Sequence, residues 1–338
     1  MFNHRFLPIQ LAVLVLVCMV PRGFSQDFDP SMIKLKRQQV VLPSGVQAAK
    51  IETGQTYVYQ IAFSPGGDEV ALVFRFAQPA IFAYENWQMR RLLPGMRYIE
   101  FSPDGKQFVT AEGNGGVRVW DSDKTTVSTN YLGNQKSLVR SAVFSPDGST
   151  IASAHDDGEI KLWNVKDLSH VQSFHKHDQA VHCVRFSPSG DELYSCGEGK
   201  AIEVWDLKNF KHLRTIVGAS TSAIMDLAVS KDGKMLVSTH QRIGAMLWNL
   251  ETGIAQVKSG YFAIACSPKD PIAAVARDKL LLFNTDSGKK LASIDLSSNK
   301  QRFLPATMRF TPDGNQIAIG GISGEILLID VPETALSR

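Results

Sequence analysis

The sequence predicts an all-β fold made of seven stacked copies of one small antiparallel unit. Three observations carry that prediction. A turn motif recurs seven times at intervals of 37–44 residues: Phe63-Ser-Pro-Gly-Gly, Phe101-Ser-Pro-Asp-Gly, Phe144-Ser-Pro-Asp-Gly, Phe186-Ser-Pro-Ser-Gly, Val229-Ser-Lys-Asp-Gly, Cys266-Ser-Pro-Lys-Asp and Phe310-Thr-Pro-Asp-Gly. Each copy leads to an apolar strand that closes on Tyr84-Glu, Trp120-Asp, Trp163-Asn, Trp205-Asp, Trp248-Asn, Phe283-Asn or Ile329-Asp. The two landmarks stand 19 residues apart in five copies, 21 in the first and 17 in the sixth, a regularity that unrelated segments do not produce.

Residues 141–164, SAVFSPDGSTIASAHDDGEIKLWN, show the unit in full. Apolar residues alternate through Ser141–Ser145, as a half-buried strand requires. Pro146-Asp147-Gly148 supplies a turn, with Pro presetting φ and Gly admitting a positive φ. A second strand, Thr150–Ala154, ends at Asp156-Asp157-Gly158, another hairpin signal. The third, Glu159–Asn164, sets Ile160 and Leu162 on one face and Lys161 and Trp163 on the other. Three such strands cannot bury both faces alone, so each unit must stack on its neighbours.

These landmarks resemble the WD40 repeat family, with its period of about 40–45 residues and four strands per blade. The resemblance covers residues 46–331 and implies a seven-bladed β-propeller. It places a fourth, outer strand after each closing pair: Met89–Leu93, Val127–Tyr131, His170–Phe174, His212–Ile216, Ile254–Val257 and Leu291–Ile294. The seventh blade runs out of chain after Val331. Val46–Ile51 lies twelve residues before Phe63, as Phe174 lies twelve before Phe186, and so is expected to complete that blade and close the ring. The family's His–Ser–Asp–Trp hydrogen-bonded set is incomplete here. Blade 4 has His177, Ser195 and Trp205 but Gly199 for the Asp, while blade 3 has Ser153, Asp157 and Trp163 but Gln135 for the His. Blade geometry is therefore expected to rest more on apolar packing.

The chain is long enough, and at 44% hydrophobic apolar enough, for a large core. Arg5, the apolar run Leu7–Val20 and the small residues before Gln26 read as a signal peptide. That run is short for a membrane span. Residues 1–25 are thus a signal peptide, 26–45 an N-terminal extension, 46–331 the propeller and 332–338 a tail. The expected location is periplasmic or extracellular, with no stable membrane insertion after cleavage; retention of the segment as an anchor is the other outcome. Removing residues 1–25 leaves 34 basic against 33 acidic residues, which is no footprint for nucleic acid.

Catalytic motifs fail on context. Gly113-Asn-Gly-Gly116 and Gly320-Gly-Ile-Ser-Gly324 sit between strands, with no helix to hold phosphate. His155-Asp156-Asp157 reads as a turn. The group His155, Asp157, His175, His177 and Asp178 shares one end of the propeller, but the resemblance gives His177 a structural role, so no metal and no cofactor is expected. Cys183 and Cys196 are expected to face each other. If Phe186 pairs with Leu193, antiparallel partners sum to 379, as 183 and 196 do. Two free thiols are the main expectation and a disulfide the minor one, because in-register cross-strand disulfides are strained.

The candidate binding surface is the channel mouth. Four residues before each turn landmark stand Tyr59, Arg97, Arg140, His182, Met225, Phe262 and Ala306, all expected at one end of the innermost strands. Arg and aromatic residues dominate interface energetics. The reading is a non-enzymatic, monomeric interaction scaffold for a protein or peptide partner, an acidic one by charge. The alternative is an exported propeller enzyme, or a ligand- or glycan-binding protein, using the channel. The four closing tryptophans are expected in the blade core and not at a sugar site.

Overall fold

The computed structural model describes residues 35–336, apart from 56, 113–114, 124–131, 133–136, 218–221, 261 and 298–301. Residues 1–25, expected to be a signal peptide, lie outside the described residues. Seven antiparallel sheets follow one another along the chain as the blades of a β-propeller. In blade 4 the strands run in order from the channel outward: Val181–Phe186, Glu192–Gly197, Ala201–Asp206 and Lys211–Val217. Blades 1, 3, 5 and 6 repeat this order, with outer strands Met89–Leu92, His170–His175, Ala255–Ser259 and Lys290–Asp295. In blade 2 three strands are described, and the expected outer strand Val127–Tyr131 lies wholly outside the described residues.

The seventh sheet differs. Gln47–Glu52 pairs with Glu325–Asp330, with Ala48 opposite Ile329 and Ile51 opposite Ile326. Lys36–Val41 then adds a fifth strand, which the sequence analysis had assigned to an extension. The link between them turns on Gly45, at φ +81°, whose N–H donates to the Leu42 carbonyl. Lys36–Val41 is half exposed along its length and offers little of the apolar alternation by which strands are recognised.

The recurrent motif builds one turn each time. In blade 2 the Ser102 hydroxyl donates to Asp104 at 2.7 Å and accepts the Gln107 N–H at 3.0 Å, while Gly105 takes φ +71°. Neighbouring turns then touch. A Cβ on Gly105 would stand 3.5 Å from Pro65, on Gly148 3.6 Å from Pro103, on Gly190 3.7 Å from Pro146 and on Gly233 3.6 Å from Pro188. Gly67 of blade 1 lies in the same way against Pro312 of blade 7. The motif is therefore both a hairpin turn and a contact from blade to blade.

The core lies between the sheets. Ile151, Ile160, Val184, Leu193 and Trp205 belong to one buried cluster that joins blades 3 and 4. Trp120, Trp163, Trp205 and Trp248 are all 5% exposed or less, which removes them as sugar-stacking surfaces. Among the described residues, no helix is long and apolar enough to cross a membrane.

Candidate functional site at the channel mouth

A backbone irregularity makes the mouth. In six of the seven innermost strands the pairing register slips by one residue, between Val58 and Gln60, Met96 and Tyr98, Val139 and Ser141, Val181 and Cys183, Ile224 and Asp226, and Pro305 and Thr307. The residue left without a partner is Tyr59, Arg97, Arg140, His182, Met225 or Ala306, the positions singled out from the repeat spacing. A bulge of this kind re-aims its side chain and increases the local twist. Phe262, the seventh, immediately precedes the strand Ala263–Cys266.

All of these except Arg97 line one cavity of about 510 Å³. Tyr59, Met225 and Phe262, from blades 1, 5 and 6, are 45–48% exposed and all line this cavity. Arg140 grips Asp156 through Nε and, at 3.0 Å, through Nη2. That hydrogen bond holds its guanidinium pKa above the ordinary value. His182 is half-buried, with Nδ1 3.1 Å from the Ile224 carbonyl and Nε2 3.5 Å from Glu198. Arg97 is exposed and makes no ion pair among the described residues. Desolvation raises the Tyr59 phenol, against the pull of Arg140 and Arg97. Neither arginine turns inward to Glu100. The basic arc thus carries one unpaired guanidinium and two groups already facing carboxylates.

Below the mouth, the channel holds a charged set that the sequence analysis did not find. The repeat spacing points to the position four before each landmark, whereas Asp226 lies three before, and Glu100, Arg185 and Arg309 one before. Two carboxylates, Glu100 and Asp226, act on the same Arg185 guanidinium there. Arg185 Nη2 donates to Asp226 Oδ1 at 2.8 Å, and Arg309 Nη1 lies 3.8 Å from Asp226 Oδ2. Glu100 accepts the Tyr98 hydroxyl at 3.0 Å and the Phe144 N–H at 3.2 Å. Burial raises the Glu100 pKa. Every carboxylate oxygen named here has its own donor or cation nearby, so the set orders the channel wall.

The opening histidines have a different task from ligation. Trp163 Nε1 donates to Ser153 Oγ at 2.9 Å, and His155 Nε2 sits 2.8 Å from the same oxygen. Blade 5 repeats this with Trp248, Ser238 and His240 at 2.8 Å each. In blade 4 the residue two after the serine is Gly197, and His177 reaches in from the preceding loop to Ser195 at 2.8 Å. The Ser–Trp contact that lacks its loop histidine in blade 3 is thus completed from within the strand, so buried polar contacts act beside apolar packing there. Gln135 itself lies outside the described residues. His175 lies 3.3 Å from Glu159, and among the described residues no three His, Cys, Asp or Glu side chains cluster as metal ligands.

Cys183 stands directly opposite Cys196 in the hairpin register, and both are free thiols.

Comparison with known proteins agrees with this geometry. A family model described as WD40, WD domain, G-beta repeat, matches residues 95–121, 125–164 and 168–206. No curated protein is similar enough to the chain to count as a relative. Propellers of this class generally bind proteins or peptides. The chain is a seven-bladed β-propeller whose second, third and fourth blades are WD40 repeats.

Proposed function

We propose that this propeller is an exported, monomeric and non-catalytic interaction scaffold that takes an acidic segment of a protein or peptide at its channel mouth. The observation that supports it is the set of bulged residues. Six blades direct one irregular position each to the same end, and there an exposed apolar trio sits beside Arg97 and Arg140. A carboxylate docking on this rim would meet Arg97 unopposed, and guanidinium groups hold carboxylates with paired, charge-assisted hydrogen bonds.

The pairing of Arg140 with Asp156 gives a two-sided test. Binding of an array of acidic and neutral peptides to the purified mature chain is measured at fixed salt. Arg97→Ala should weaken acidic binders by about 2 kcal/mol, near thirtyfold. Asp156→Asn should strengthen them, because it releases Arg140. If neither variant changes the affinity of peptides that bind, the mouth is not the site. Export is checked separately, by mass spectrometry of the protein from its native source. A mature N-terminus at or near Gln26 is expected, and intact Met1 on cytoplasmic protein overturns that part.

A further inference from the structure

We propose that Cys183 and Cys196 form a reversible thiol–disulfide site, served by low-molecular-weight disulfides and thiols, that is coupled to the channel mouth. The inference does not depend on the partner proposed above. It starts from the register: the two residues are direct partners across the hairpin of Val181–Phe186 and Glu192–Gly197. Side chains directly opposed in an antiparallel pair have Cβ atoms roughly 4.5–5.5 Å apart, while a disulfide needs about 3.5–4.5 Å. A small closing of the hairpin joins them.

Two local features favour that closing. The bulge at His182 breaks the ladder immediately beside Cys183. Gly197, beside Cys196, already lets the strands approach so closely that a Cβ there would overlap the Ala180 carbonyl. The bond formed across such a pair is strained, and strained disulfides are the readily reduced, responsive ones.

Access and consequence come from the same geometry. Cys183 is 2% exposed but lines the cavity of about 510 Å³ below the mouth, which Cys196 does not, so Cys183 is the sulfur that a small reagent entering the cavity reaches first. Burial pushes the Cys196 thiol well above its ordinary pKa, which leaves it unreactive toward reagents in solution, so it reacts only in the second, intramolecular step, after losing its proton beside the mixed disulfide that Cys183 holds opposite it. In the reaction, the Cys183 thiolate attacks one sulfur of a small disulfide and releases one thiol. Cys196 sulfur then displaces the other. Two protons and two electrons leave the protein in the two small thiols, and one protein disulfide remains.

Both sulfurs bridge to blade 5. Cys183 Sγ donates to Asp226 Oδ1 at 3.3 Å and Cys196 Sγ to the Ile224 carbonyl at 3.7 Å. Ile224 O also faces His182 Nδ1, and Asp226 also receives Arg185. Oxidation removes both S–H donors at once, so it loosens the seam between blades 4 and 5 where the mouth residues His182 and Met225 stand.

The test uses the full chain equilibrated in glutathione buffers from reducing to oxidising, quenched in acid, alkylated and digested with trypsin. Cleavage after Lys176, Arg185 and Lys200 separates the two cysteines into peptides 177–185 and 186–200, apart from Cys18 and Cys266. The expected result is a linked peptide, two hydrogens lighter than the sum, that grows with oxidising poise and vanishes with dithiothreitol. It should persist in Cys266→Ser. Hydrogen exchange at residues 224–229 should rise severalfold on oxidation. Alkylated thiols on both peptides at every poise, a stable glutathione adduct on Cys183, or linkage to Cys266 overturns the site. Unchanged exchange with the bond formed overturns its coupling to the mouth.

Discussion

Ser153 Oγ holds Trp163 on one side and His155 on the other, all three nearly or wholly buried. Replacing Ser153 by Ala leaves an indole N–H and an imidazole nitrogen without partners in the core. An unsatisfied buried polar group costs about 1–3 kcal/mol. Urea unfolding should therefore show a loss of about 2–4 kcal/mol for Ser153→Ala, and the same for Ser238→Ala in blade 5. The histidines also set a pH response. Burial pushes His155 and His240 down to about 4, and their Nδ1 atoms have no hydrogen-bond partner to receive a second proton's charge. The unfolded chain takes up protons near 6.5, while the folded chain resists until about 4. The neutral rings' contribution is complete above 6.5 and is lost as pH falls from 6.5 to 4, roughly 3 kcal/mol for each ring. Urea midpoints measured at pH 7, 5.5 and 4 should fall in that order. The double variant His155→Gln, His240→Gln should show a shallower fall.

At the scale of the element, one hairpin shows how finely position matters. Gly197 occupies the place that His155 and His240 take in blades 3 and 5, because in blade 4 the loop carbonyl of Ala180 passes where a side chain would start. Gly197→Ala puts a Cβ 2.0 Å from that oxygen, and backbone must move to relieve it. The expected loss is about 3 kcal/mol, the upper end for overpacking. Gly95, by contrast, has nothing within 4 Å of a built Cβ, and Gly95→Ala should change stability little. Thermal unfolding of the two variants beside the parent decides the point. Equal effects would mean that the hairpin relaxes more freely than its contacts imply.

For the whole molecule, the decisive junction is between the ends of the chain. Strand Glu325–Asp330 has Gln47–Glu52 on its outer side, and Pro312 of blade 7 meets Gly67 of blade 1. Deleting residues 26–51 removes both N-terminal strands and leaves a row of unpaired backbone groups on blade 7. Such an edge invites association with other chains. The truncated protein should melt in a broader, lower transition and elute in part as oligomers on size-exclusion chromatography. A truncation that melts like the chain with residues 26–51 retained would show that blade 7 holds the ring without those strands.

The sequence by itself determined the number of blades and the end of each inner strand that faces the mouth. Repeated residues at repeated spacing leave one stacking solution, and a period of two assigns the faces. Even the opposition of Cys183 and Cys196 followed from counting across a hairpin, because register is an arithmetic property once one pair is known. Only the tertiary structure decided which charges remain available. Arg97 and Arg140 look equivalent in the repeat, yet Asp156, sixteen residues along, neutralises one and leaves the other open. His155 and His177 stand at unrelated sequence positions, yet each meets a serine on the same strand of its blade. Lys36–Val41 has too weak an apolar pattern to announce a strand, and becomes one because Gln47–Glu52 offers it a free edge. Ion pairs, relays and edge pairing depend on which side chains arrive within a few ångströms, and that is set by how seven sheets converge on one axis.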